Sequence, residues 1–516
     1  MNITSSRRGF LKGMAGVAAL GAGGCFSCGC KDTGKIRLAC VGVMGKGYSD
    51  WLPMLRSGLV KIVAFCDCDY RKRQEAQNCL IRDGVDFDVY SVPFYTDYRR
   101  LIDDADKLGI QAMTVSTTDH THAPIAVAAM KKGIHVYVQK PLVRTLWELD
   151  YFGKTAKENG VVVQMGNQGS SLNGFRRGVD VLQSGILGDV KEVHVWTNRP
   201  VWPQGKGAVE VTKGAADKIP AGFNWNTWLA TAEMRPFKGA YPQGKKGYDP
   251  WNLCHNVYHP FSWRGFFDFG CGAFGDMACH TMNLPFRGLE LGVVTGAKLD
   301  MIEDRTDAAF PMKAIVKLTY AERESKVRPG VKLPEVELFW YEGCEKPSAD
   351  KMPQVVAAMG KVPNTGCVVI GSKGILCSTN DYGGDSFIAL KGEEKVKNIK
   401  EHEACKAIAQ RTPYRTDSAV GKAAASGAAA VSADGQYIEF LDAINGVGPV
   451  FEATNSRCYS DVEYTIPIME GILVGVAAQR VLEPGSSFKW DSAAQKFDNE
   501  KANAIIKPYI RKGFEF

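Results

Sequence analysis

The sequence predicts an α/β protein in two parts. An N-terminal doubly wound parallel sheet is followed by a C-terminal α/β domain built on an open, largely antiparallel sheet. Two observations carry this reading. Short apolar runs alternate with helix-like segments across residues 35–165, and strand-like runs separated by long Gly-, Pro- and Trp-rich loops dominate residues 166–516. The length of 516 residues leaves room for both parts. Hydrophobic residues at 45% and charged residues at 23% are globular values, which excludes a disordered chain or a disulfide-stapled miniature. The net charge of +7 comes from 63 Lys and Arg scattered among 56 Asp and Glu, without the basic stripe that nucleic-acid binding needs. Fifteen cysteines show no zinc-finger spacing, so they read as small core residues and no metal site is expected.

Residues 1–34 read as an address ahead of the fold. "SRRGFLK" at residues 6–12 precedes the small apolar run "GMAGVAALGAGG", the pattern of a twin-arginine export signal, and the run is too short and Gly-rich to span a membrane. A periplasmic or otherwise exported protein that uses the twin-arginine machinery is expected. Cys25 is a candidate lipid-attachment position, although Ala22 stands where a lipobox prefers Leu.

The first element is the run "KIRLACVGVMGKGYSDWLPML", in the order strand, tight turn, helix. Gly42 and Gly47 fill the first and third positions of G-x-G-x-x-G, while Met44 holds the second beside Gly45 and Lys46. Such a turn lets backbone approach a pyrophosphate at a helix N-terminus. The next strand ends at Asp67, twenty positions beyond Gly47, where a carboxylate accepts from the adenosine ribose hydroxyls and repels a 2′-phosphate. NAD is therefore the expected cofactor, with Arg71 and Arg73 leaving NADP open. Further alternation follows through "IQAMTVSTT", "HAPIAVAAMKKG", "IHVYVQKPL", "TLWELDYFGKTAKENG" and "VVVQMGNQ". The strand ends "STTDHTH" and "VQKPL" should bring Asp119, His120 and Lys140 to one edge.

In the second part, "VKEVHVWTN", "KAIVKLTYA", "EVELFWYEG" and "GCVVIGSKGIL" are the strand candidates. The alternation in "AIVKLTY" and "VELFWY" predicts an apolar sheet face that a second copy of the chain would cover, hence a homo-oligomer. Residues 404–436, rich in Ala, Gly and Ser, read as an insertion or mobile loop. In "FFDFGCGAFGDMACHTMNLPF", helical spacing puts Asp276 and His280 on one face behind a Gly-rich run.

Taken together, "GVMGKG", "STTDHTHAPIAVAAMKKGIHVYVQKPL", "GDVKEVHVW", "YHPFSWRGFFDFGCGAFGDMACHTMNLP" and "YIRKGFEF" resemble the Gfo/Idh/MocA oxidoreductases, from about Lys35 to the end. The resemblance implies a Rossmann domain that binds NAD or NADP and a C-terminal domain that carries substrate and often the oligomer interface. Lys140 matches the lysine of the family's E-K-P motif, and Asp276 and His280 match its D-x-x-x-H pair, which makes these three the candidate catalytic residues. Gln139 replaces the usual glutamate. Asp119 and His120 match a loop that lines the cofactor in relatives.

These residue types suit hydride chemistry. His280, with an ordinary pKa of about 6.5, would accept the hydroxyl proton, Asp276 would orient the imidazole, and Lys140 would stabilise the developing oxyanion. The aromatic loops "NWNTWLA", "YDPWN" and "YHPFSWRGFF", with His255, Tyr258, His259 and Arg264, suit a sugar with apolar CH faces and many hydroxyls. Three functions stay open: an oxidoreductase of a sugar, polyol or glycoside with a tightly bound, recycled cofactor; a redox-neutral glycoside hydrolase or lyase acting through a keto intermediate; and a non-catalytic carbohydrate-binding protein on the same scaffold.

Overall fold

The computed structural model describes residues 34–239, 256–412, 435–451 and 454–516. The export-signal stretch, Cys25, "YDPWN" and His255 lie outside the described residues.

Six parallel strands form the first sheet in the order β3-β2-β1-β4-β5-β6. They are β1 (Ile36–Val41), β2 (Val60–Cys66), β3 (Phe94–Tyr95), β4 (Ala112–Val115), β5 (His135–Val138) and β6 (Val163–Met165). The central strands are buried on both faces, which is why they read as continuous apolar runs rather than as alternation. Helices Lys46–Arg56, Lys72–Arg82, Asp119–Met130 and Leu146–Asn159 connect them. The last is set by its ends. Thr145 and Glu148 close a capping box, and Gly160 at φ +59° ends it in the left-handed region. Strand order reverses between β1 and β4, so a crevice opens at their carboxyl ends.

The second sheet has ten strands in the order β16-β15-β14-β13-β7-β12-β9-β8-β17-β18. These are β7 (Val190–Trp196), β8 (Val294–Glu303), β9 (Lys313–Tyr320), β12 (Val336–Glu342), β13 (Gly366–Gly371), β14 (Gly374–Ser378), β15 (Ser386–Leu390), β16 (Lys397–Asn398), β17 (Ser487–Asp491) and β18 (Lys496–Phe497). The pairing is antiparallel except where β12 meets β7. A separate small hairpin joins β10 (Arg323–Glu324) to β11 (Lys332–Leu333).

The apolar face of this sheet is covered by the chain's own helices. Ala314, Val316, Leu318 and Tyr320 of β9 and Val336, Leu338 and Trp340 of β12 are buried, against helices that include Val462–Val481 and Gly272–Thr281. Phe274 stacks on Trp340 with ring centroids 4.6 Å apart. Burial stabilises by roughly 1.5–3 kcal/mol for a side chain such as Leu318. The opposite face carries a Lys317–Glu337 ion pair beside the half-buried Ile315 and Phe339. The expected uncovered apolar face is therefore corrected: alternation marks which face is apolar, not what covers it.

Two boundaries also change. The parallel sheet ends at Met165, but helix Gly435–Ile444 returns to it, placing Tyr437, Phe440 and Leu441 in one core with Leu38 and Trp51. Residues 166–516 are thus not self-contained. Nor are residues 404–436 one loop. Helix Glu403–Lys406 is held by Arg177, which donates to the Cys405 carbonyl at 2.5 Å and the Ile408 carbonyl at 2.9 Å. Gly435 and Gln436 already belong to the following helix, and residues 413–434 lie outside the described ones.

Candidate active site

The cleft starts from the turn after β1. Gly42 sits at φ +80°, and a Cβ there would lie 2.2 Å from the Ser116 carbonyl oxygen at the end of β4. A Cβ on Gly47 would lie 1.8 Å from the Gly42 carbonyl oxygen, so this glycine lets the helix start against the turn. Met44, Gly45 and Lys46 line the opening with Gly42, whereas Gly47 is buried beneath them.

Asp67 follows β2 and faces the same cleft. Its Oδ2 accepts the Val43 N–H at 2.9 Å and its Oδ1 the Asp69 N–H at 3.0 Å, while burial pushes its carboxyl up to about 6. Arg71 is forked onto Asp69 at 2.7 and 2.8 Å. Arg73 lies 4.5 Å from the Tyr90 ring centroid and donates to the Val92 carbonyl at 3.1 Å. Both arginines that could meet a 2′-phosphate are engaged elsewhere, so the residues present fit NAD.

At the other end, Lys140 donates to Asp276 Oδ1 at 2.7 Å and to the Asp276 carbonyl at 3.0 Å, and Arg264 Nε donates to the same Oδ1 at 3.1 Å. Burial alone would raise the Asp276 carboxyl, but the Lys140 and Arg264 cations overcome it and hold the group well below the usual range. Asp276 therefore does not orient His280 as expected. Asn167 does: its Nδ2 donates to the Cys279 carbonyl at 2.7 Å, which turns Oδ1 toward His280 Nδ1 at 3.3 Å. That contact places the ring proton on Nδ1 and leaves Nε2 as the lone-pair nitrogen. Burial, aided by the Lys140 charge, pushes His280 well below its ordinary value. The expectation of a pKa of about 6.5 is corrected, because short range in sequence says nothing about desolvation.

Asp119 begins its helix, lines the cleft and accepts the Cys271 N–H at 3.2 Å. Burial pushes its carboxyl up to about 7 against the Arg264 and Lys140 charges. His120, its neighbour, points away. Its Nε2 lies 3.1 Å from the Trp228 carbonyl oxygen, its ring packs on Phe269, and burial lowers it to about 3, so it is a core residue rather than a cofactor contact. Tyr258 is likewise in the core, with ring centroids 5.0 Å from Phe266 and 5.3 Å from Phe269. His259 and Arg264 do line the cleft. His259 Nδ1 accepts from Trp228 Nε1 at 3.3 Å, and the Arg264 guanidinium sits 4.1 Å from the Phe261 ring and 4.3 Å from that of Trp263.

Other lining residues carried no sequence signal. Arg199 follows β7 and Asp381 and Tyr382 lie between β14 and β15, brought together only by the second sheet. Arg199 Nη2 reaches Asp381 Oδ2 at 3.4 Å, and the Tyr382 ring meets His280 edge-on at 4.9 Å. The "MGNQ" run held Asn167, but nothing in it marked a histidine partner. A roof drawn from residues 197–239 and 256–270 lines one side of the cleft. Its Phe223 bridges Asp69, Tyr70 N–H donates to the Gly222 carbonyl at 2.8 Å, and Asn224 N–H donates to the Cys68 carbonyl at 2.7 Å. The cleft, open to solvent on one side, holds about 750 Å³, room for a dinucleotide portion and a small substrate. Among the described residues, no group of three or more His, Cys, Asp or Glu is placed to hold a metal ion.

Residues 36–167 match the Gfo/Idh/MocA family model, described as an oxidoreductase family with an NAD-binding Rossmann fold. The N-terminal part of this chain is therefore an NAD-binding Rossmann domain of that family. The chain is 28% identical over 229 residues to "Glycosyl hydrolase family 109 protein 2" of Akkermansia muciniphila, covering 37% of this chain and 46% of that protein. It is 27% identical over 161 residues to the inositol 2-dehydrogenase of Salmonella typhimurium, covering 31% and 44%. The matches thus span less than half the length of these curated relatives. Over the whole fold, the NAD+ complex of an inositol dehydrogenase homolog from Azotobacter vinelandii superposes with a TM-score of 0.53 at 17% identity, covering 89% of this chain and 98% of that one.

Proposed function

We propose that this protein is an exported, NAD-dependent oxidoreductase of a sugar, polyol or glycoside that keeps its cofactor bound and recycles it in place. The single observation that carries the reading is the convergence of Lys140, Asp276, Arg264 and His280 on the cleft that the glycine turn opens. NAD held by that turn and Asp67 supplies the hydride acceptor. The chain's own residues then manage the substrate hydroxyl. Neutral His280 accepts its proton at Nε2, and Lys140, fixed by Asp276, donates to the oxygen as negative charge grows there. Trp202, Phe261 and Trp263 offer ring faces to the CH groups of a sugar, and Arg199 and Asp381 offer polar partners for its hydroxyls. The "SRRGFLK" signal supports export, and a route that moves folded proteins suits a cofactor loaded beforehand.

A second reading, a redox-neutral glycoside hydrolase or lyase, draws support from Asp119. Elimination from a keto sugar needs a further proton carrier, and a cleft carboxyl near 7 beside the strongly ionised Asp276 is such a pair. The name of the A. muciniphila relative agrees with it. The test is to incubate the purified protein, without added cofactor, with sugars and aryl glycosides while recording nicotinamide absorbance and products. Multiple turnovers support in-place recycling, and released aglycone selects the second reading. Strict dependence on added, freely exchanging NAD refutes recycling.

A further inference from the structure

Beneath the cleft, Asp50 is a fully buried carboxylate on helix Lys46–Arg56 that does not itself line the opening. Four side chains from four parts of the chain donate to it. Lys46 Nζ reaches Oδ1 at 2.6 Å and Tyr437 OH reaches the same oxygen at 2.8 Å. Ser116 Oγ reaches Oδ2 at 2.7 Å, and the Gln139 amide lies across both oxygens at 3.0 and 2.9 Å. Three of these donors, Lys46, Ser116 and Gln139, do line the cleft. Burying a carboxylate costs several kcal/mol unless its lone pairs are filled, so a carboxylate at this depth constrains every group that fills them.

We infer that Asp50 is a positioning residue: it holds Lys46 beside the glycine turn and, through the Gln139 amide, the strand end that carries Lys140. The inference rests on the cleft being the NAD site proposed above. It also accounts for the glutamine before Lys140. A glutamate at 139 would set two carboxylates about 3 Å apart, where both cannot stay ionised. An amide can donate to Asp50 instead, and Gln139 Oε1 still faces the Lys140 N–H at 3.4 Å. The buried negative charge at this spot is thus supplied from the helix rather than from the strand.

The experiment compares the full-length protein with Asp50→Asn, Gln139→Glu and the exchange Asp50→Asn/Gln139→Glu. Acetic anhydride labelling of individual lysines, read by mass spectrometry, reports how well Lys140 is held and needs no cofactor, with Lys298 in the second sheet as internal control. NAD affinity is measured by calorimetry on the same samples. Each single change should raise Lys140 labelling several-fold, leave Lys298 unchanged and weaken NAD at least tenfold, whereas the exchange should return both to within about threefold of the parent. Tyr437→Phe removes one donor and should give a smaller rise in Lys140 labelling, which keeps the test open if a single variant fails to fold. Unchanged Lys140 labelling in folded variants overturns the inference, as does an exchange whose effect is merely the product of the two singles. If the parent itself binds no NAD, the proposed function fails, and the labelling pattern still decides the role of Asp50.

Discussion

Lys140 and Asp276 meet at 2.7 Å although 136 residues separate them. One stands just past β5 of the parallel sheet and the other on helix Gly272–Thr281, which packs beneath the second sheet. Their contact is where the two parts of the chain become one site. Lys140→Ala should lower turnover by about 10²–10³-fold, on the scale of losing a preorganised donor beside a developing oxyanion. It should also destabilise the fold by up to about 3 kcal/mol, less than a fully orphaned buried charge because Arg264 still reaches Asp276. Steady-state rates and urea unfolding of the variant check both figures, and parent-like turnover would remove Lys140 from the mechanism.

Asp119 contributes to the pH dependence, alongside the buried Glu342, which burial raises to about 7, and Asp461, raised to about 6. The folded Asp119 carboxyl lies near 7, above an unfolded value of about 3.9, so the folded state holds the extra proton. The stability this contributes is full below pH ~4 and is lost as pH rises through about 7. Asp67, raised by burial to about 6, acts in the same direction, whereas Asp276, held low, gives stability that disappears only in acid. Thermal unfolding should therefore show the protein less stable at pH 8 than at pH 5, by roughly 1–4 kcal/mol from Asp119. Asp119→Asn should flatten that slope. An unchanged slope would mean that Asp119 is ionised throughout.

Asn167 should matter through His280. Asn167→Leu removes the acceptor at Nδ1, so the ring loses its preferred tautomer and turnover should fall roughly tenfold with NAD affinity unchanged. His280→Ala should abolish turnover and also leave NAD bound. Because His280 is held well below its ordinary value, the kcat/KM profile should lack a histidine limb near pH ~6.5. A limb there, matched by an NMR titration of the His280 ring at the same pH, would show that the ring is solvated in solution.

Much of this site was legible because its residues obey local rules. Gly42 and Gly47 announce a close turn, Asp67 ends an apolar run, and Asp276 and His280 share a helical spacing that survives in the structure. What sequence could not show is pairing across distance. Nothing near Asp276 said that its partner would be Lys140 rather than His280, and His120 and Tyr258 looked like ligands until Trp228 and Phe269 buried them. The sheet face failed for the same reason. Alternation in β9 located an apolar face, but its cover, helix Val462–Val481, begins more than a hundred residues downstream.

The roof makes cofactor retention a structural expectation. Phe223 is bridged to Asp69 by backbone pairing, flanked by the Tyr70–Gly222 and Asn224–Cys68 hydrogen bonds, immediately beyond Asp67. Its ring is fixed against Phe237 and His259, and His259 in turn lines the cleft. If release of a dinucleotide whose ribose sits at Asp67 requires this pairing to open, opening would expose the aromatic cluster of Phe223, Trp225 and Trp228 to water. At roughly 1.5–3 kcal/mol per large apolar side chain, that exposure would slow release by orders of magnitude. Dialysed protein should therefore retain NAD, identified after denaturation, and exchange it slowly with labelled NAD. Phe223→Gly, which loosens the anchor without touching Asp67 or the catalytic residues, should speed exchange at least tenfold while leaving single-turnover chemistry on the loaded protein unchanged. Rapid exchange in the parent would show that the roof does not retain the cofactor, and recovery of NADP alone would overturn the assignment of Asp67.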